Sequence, residues 1–119
     1  MTDPFQLTLP MLTRIDAPSV VHPAKVKAVQ SYRDAVRACW EMRRDRADGA
    51  QSACARYMGA QVSHMSSYLS DDPDARDMPA KFIAAFQFWC GNTVISQYLA
   101  RVADLSVNEE VQVLLKGAA

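Results

Sequence analysis

Apolar residues in this chain recur at spacings of three and four, and single glycines interrupt the runs. Val26, Val29, Tyr32, Val36, Cys39 and Trp40 form one such stripe; Phe82, Ala85, Phe86 and Trp89 form another; Val94, Ile95, Tyr98, Leu99, Val102 and Leu105 a third. This spacing gathers side chains on one face of an α-helix. No segment alternates at period two for long, and no repeat is visible. Gly49, Gly59, Gly91 and Gly117 each fall where a helix starts or stops. The pattern confines the chain to an all-α fold of about six helices joined mostly by short turns.

Local signals set the expected boundaries. Pro23 suits a first helical turn, where its missing N–H costs nothing, and the stripe behind it predicts one helix from Pro23 to Arg46. Asp48 with Gln51 reads as a capping pair for a short helix over 50–58, stopped by Gly59. A second short helix is expected over 61–69, before Asp71, Asp72, Pro73 and Asp74 break the pattern. Asp77 and Pro79 open the next helix, Gly91 closes it, and Asn92 caps its successor. Ser106 with Glu109 reads as a capping box for a short last helix carrying Val107, Val111, Leu114 and Leu115. Residues 1–22 contain Pro4, Pro10 and Pro18. They read as an irregular arm with a short strand near Phe5–Leu9.

Composition narrows the function classes. The chain has 119 residues, half of them apolar and 22% charged, which fits one globular domain and argues against wholesale disorder. Thirteen basic residues balance thirteen acidic ones, so non-specific coating of nucleic acid by bulk charge is excluded. The charge is nevertheless divided: net −1 over residues 1–19, +4 over 20–70 and −3 over 71–119. An internal positive region steers anions even in a neutral molecule. No apolar run approaches the roughly 20 residues of a membrane span, and the first twenty residues lack the basic start of a signal peptide. Cys39, Cys54 and Cys90 form no CxxC pair and fit reduced packing residues of a cytoplasmic protein. Neither His22 nor His64 lies at ligand spacing from a cysteine. No metal, cofactor or catalytic constellation is expected, so the chain reads as a non-enzyme.

Residues 51–70 carry the most information. They read QSACARYMGAQVSHMSSYLS. Two short helices crossing closely need a small residue at the contact, and Ala55 supplies it. The bend needs a residue tolerant of positive φ, and Gly59 follows four positions on. Cys54, Met58 and Ala60 are expected to point inward, while Met65, Tyr68 and Leu69 hold the second helix to the core. Its outer face is then Gln61, Val62, Ser63, Ser66, Ser67 and Ser70, with His64 on the flank. That surface is short, polar and uncharged, and so able to press against a base edge.

This stretch resembles the helix-turn-helix of the lambda repressor and Cro class of phage regulators. The resemblance rests on Gln51, the Ala55–Gly59 step, the Met58–Gly59 pair, and Ser63 followed by apolar Met65 and Leu69. More weakly, it runs to about residue 101, where Gly91–Asn92 and the helix with Ile95 and Leu99 look like phage CII-type regulatory domains. It implies a helix-turn-helix domain over 23–105, an arm at 1–22 and a C-terminal helix at 106–119 for self-association. It implies a sequence-specific transcriptional regulator, acting on double-stranded DNA in the cytoplasm of a bacterial host, at the nucleoid, as a homodimer or higher homo-oligomer. In the major groove, Gln61 is placed to bond adenine, Val62 to touch a thymine methyl, and Ser63 and Ser66 to bond a base or phosphate. Ser67, Ser70 and His64 border that surface. Gln51 and the nearby Arg43, Arg44 and Arg46 are expected on phosphates. The reading face has no Arg or Lys, and Asp71, Asp72 and Asp74 follow it directly. That acidic run motivates an alternative: a protein-interaction module, antirepressor or adaptor, which keeps the fold without DNA affinity.

Overall fold

A computed structural model describes residues 17–118 of the chain; the strand expected at Phe5–Leu9 lies outside them. Among the described residues the fold is all-α. Six helices follow in order: α1 (Pro23–Lys27), α2 (Tyr32–Glu41), α3 (Ala50–Met58), α4 (Val62–Tyr68), α5 (Ile83–Cys90) and α6 (Val94–Ala118). A 3-10 turn, Ala80–Phe82, leads into α5. No helix among them is long and apolar enough to cross a membrane.

Two boundaries and two caps differ from expectation. The first helix is two. Ser31 takes an extended backbone and its hydroxyl accepts from the Asp34 N–H at 3.1 Å, so it caps a new helix rather than continuing the old one. The apolar period crosses this break because Val26 and Val36 reach the same core from both sides. Helix α2 then ends at Glu41, leaving Arg43, Arg44 and Arg46 in the connection to α3. The Asp48–Gln51 capping pair does not form: α3 begins after Gly49, which offers no side chain to its amides. The Ser106–Glu109 box does not form either. Helix α6 runs unbroken through both residues, because a capping sequence acts only where the chain has already left the helix.

The core draws on all six helices, and Trp40 belongs to it. This indole stacks on Trp89 at 5.6 Å between ring centroids and on Phe86 at 6.2 Å. Val36, Met65, Phe86, Val94 and Ile95 are fully buried in the same core. All three cysteines are buried free thiols. Hydrogen bonding to Cys90 and burial raise the Cys54 thiol far above its usual range; Cys90 rises too, first through Cys39. They are packing groups, as their scattered spacing implied.

Side-chain amides tie the remaining elements. Gln87 donates to the Ser96 hydroxyl at 2.7 Å and accepts from the Ser96 N–H at 2.8 Å, fixing the α5–α6 corner. Gln97 likewise brackets Val21, accepting from its N–H and donating to its carbonyl, each at 2.8 Å. Asn92 is expected to cap α6, and its Oδ1 does accept from the Val94 N–H, while its amide donates to the Cys39 carbonyl. These residues seat the segment before α1 along the start of α6.

Candidate nucleic-acid interface

The pair α3–α4 is built from its small residues outward. Ala55 has no exposed surface and lies in one core cluster with Met65 of α4. Gly59 ends α3 at φ +78°, and the Ala60 N–H reaches back to the Ala55 carbonyl at 2.9 Å. The six-residue closure satisfies a carbonyl that the helix end leaves open. Gln61 then opens α4 with extended backbone and makes no capping bond through its side chain. One face of α4 is anchored: Met65 is 0% exposed and Tyr68 3%. Gln61, Val62, Ser63 and Ser66 lie on the open side, with Val62 43% exposed. Ser67, Ser70 and His64 are half-buried at its margin.

The structure divides the arginines expected on phosphate. Arg43, Arg46 and exposed Gln51 line one shallow groove at the start of α3. Arg43 lies over the Trp40 ring at 4.2 Å and donates to the Trp40 carbonyl, while its Nε is buried with no partner. Arg46 donates to the Glu41 carbonyl and stays exposed. Arg44 is drawn elsewhere: it donates to the Phe88 carbonyl at 2.6 Å and lies against Gly91. The stacking surface of Trp40 and the carbonyls at the ends of α2 and α5 decide this partition. Sequence adjacency cannot.

Two cations join the site from a distance. A second groove beside Gln61 is lined by His64, Tyr68, Arg76 and Lys81. The Arg76 guanidinium lies 2.8 and 3.1 Å from the two ring nitrogens of His64. Arg76 is therefore turned toward α4 and not toward the neighbouring aspartates. No spacing rule links residue 76 or 81 to residue 61; the fold of the 71–79 loop makes the connection. The open face of α4 is thus uncharged, with Arg76 and Lys81 in the groove beside it; the groove holding Arg43 and Arg46 lies at the start of α3 and is lined also by Asp48 and by no residue of α4.

The acidic loop has its own organisation. Asp72 accepts from the Asp74 N–H, closing a local turn. Asp77 accepts from Arg33 at 2.8 Å. Arg33 itself is 9% exposed, so the negative segment is wrapped on a buried cation.

No known family model, no characterised protein and no solved structure matches this chain.

Proposed function

We propose that this chain is a sequence-specific DNA-binding regulator of phage type, which reads the major groove with α4. One observation carries the reading: Gln61, Val62, Ser63 and Ser66 face outward from a helix whose opposite side is anchored, with a groove holding Arg76 and Lys81 at its margin. Backbone contacts from cations fix register on a duplex, and short polar side chains near a helix start reach base edges. The uncharged face and the flanking cations match that division of labour. The α3 start adds N–H groups that no side chain caps, beside Gln51 and Arg43; such groups favour phosphate.

A second copy completes the reading. Beyond the core, every side chain of α6 from Leu99 to Gly117 is exposed. At 3.6 residues per turn, Val107, Val111 and Leu114 fall roughly opposite Val94, Ile95 and Tyr98, which face the core. This stripe points away from its own domain, and an exposed apolar row of this kind marks an interaction surface. Pairing of two tails would bring two α4 helices to one duplex, whose symmetric half-sites recur at one helical turn, roughly 34 Å, or its multiples.

The test is selection from random duplexes followed by titration. Gln61→Ala and Ser66→Ala are expected to weaken the selected duplex by about 1–3 kcal/mol per lost base contact and leave random duplex nearly unchanged. Log affinity should fall steeply and linearly with log salt. Unaltered affinity in both variants would remove α4 as the reading helix. If no duplex is enriched while the chain forms a stable complex with another protein, the interaction-module reading, which the exposed Asp71, Asp72 and Asp74 favour, replaces this one.

A further inference from the structure

The guanidinium of Arg33 lies where the α4 helix ends and the acidic loop begins. Its Nη1 donates to the carbonyls of Ser67 at 2.8 Å and Ser70 at 2.9 Å. Its Nη2 donates to the Ala75 carbonyl at 2.6 Å and to Asp77 Oδ1 at 2.8 Å. Ser67 lies in the last turn of α4, where its carbonyl also accepts from the Ser70 N–H at 3.2 Å, and Ser70 lies just past the helix end. Arg33 supplies the donors and puts a positive charge at the negative end of the helix. It lies on α2, in the core. One side chain therefore couples the core helix, the end of α4 and the loop carrying Arg76.

We propose that Arg33 is a positioning residue for DNA reading. It touches no DNA; it sets the angle and register of α4, and it folds the 71–77 loop so that Arg76 comes back to His64 beside Gln61. The inference rests on the DNA-binding reading above and says what makes it specific. Helix α4 has only seven residues and is too short to hold itself. Met65 and Tyr68 anchor one side, but apolar contact is non-directional. Arg33 adds direction, because a planar fork with fixed donors meets several acceptors in one geometry. It also gives one acidic residue of the loop a role: Asp77 balances a charge that burial would otherwise leave uncompensated.

The experiment compares wild type, Arg33→Lys, Arg33→Met and Asp77→Asn. Two quantities are read: amide hydrogen exchange over 62–70 against 50–58, and the affinity ratio between the selected duplex and a random one. A lysine keeps the charge and loses the fork. In folded Arg33→Lys and Arg33→Met, exchange over 62–70 should rise about tenfold or more while 50–58 stays put, and discrimination should fall about tenfold, on the order of one base contact. Random-duplex affinity should hold within about twofold. Asp77→Asn, which alters an exposed partner, should show the same two changes in weaker form and serves, with Arg33→Lys, if Arg33→Met does not fold. Unchanged exchange and discrimination in Arg33→Lys overturn the proposal, as does full rescue by lysine. If wild type itself prefers no duplex, the DNA reading fails, and the exchange data alone then decide whether Arg33 positions α4.

Discussion

Replacing Gly59 and Gly91 by alanine separates two costs that the structure assigns unequally. Both glycines have positive φ, +78° and +92°. A Cβ there costs roughly 1–2 kcal/mol. Alanine also stiffens the unfolded chain, which returns about 0.4–1 kcal/mol. At Gly59 an added Cβ meets nothing within 4 Å. Gly59→Ala should therefore lose about 1 kcal/mol. At Gly91 the same atom falls 2.8 Å from Arg44 Nε and 3.0 Å from Cζ. The flexible side chain must move, giving up its bond to the Phe88 carbonyl, an additional loss of about 0.5–1.5 kcal/mol. Gly91→Ala should lose about 2 kcal/mol. Urea unfolding followed by circular dichroism measures both, with the midpoint shifting and the slope constant. In an Arg44→Ala background the excess at Gly91 should disappear while the loss at Gly59 stays, since contacting residues couple and distant ones add. Equal losses at the two positions in wild type, or an excess at Gly91 that survives removal of Arg44, would refute the reasoning.

Other expectations follow from single contacts. The Tyr32 hydroxyl donates to the Met78 carbonyl at 2.7 Å, and burial, then the Asp77 charge, pushes its pKa above the usual tyrosine value. Folding thus favours the neutral form. Its contribution is present below about pH 10 and lost as pH climbs through the raised value. Tyr32→Phe should cost about 1 kcal/mol at pH 7 and flatten the alkaline limb of a stability-versus-pH curve; an unchanged limb contradicts the assignment. Leu114→Asp puts a charge on the outward stripe of α6, where the wild-type side chain is 72% exposed. Monomer stability should change by less than about 0.5 kcal/mol, while sedimentation should show a concentration-dependent dimer in wild type and none in the variant. A monomeric wild type would remove the pairing proposal.

The helical class and most element positions were legible in the sequence. Period three-four stripes mark the buried faces of α2, α5 and the first turns of α6, whereas Leu99, Val102 and Leu105 of the third stripe are exposed; Gly59 and Gly91 mark ends that need positive φ. The α3–α4 pair was legible for the same reason: Ala55, Gly59 and Met65 are each constrained within their own turn of chain. Capping sequences misled. Ser31 acted as a cap though the apolar stripe ran past it, while Ser106 did not act as one. A serine caps only where the chain enters a helix from outside it: Ser31 stands at such an entry with extended backbone, whereas α6 runs straight through Ser106.

Periodicity and turn chemistry are local, so the sequence by itself determined the secondary structure class, the tight bend at Gly59 and the apolar side of each helix. Only the tertiary structure decided which cations serve the open face of α4. Arg44 is drawn away to the Phe88 carbonyl, Arg43 stays in the groove at the start of α3 stacked on the Trp40 ring, and Arg76 is brought beside α4 across a loop gathered by Arg33. A long charged side chain goes where acceptors and aromatic faces converge, and that convergence exists only once distant segments have packed.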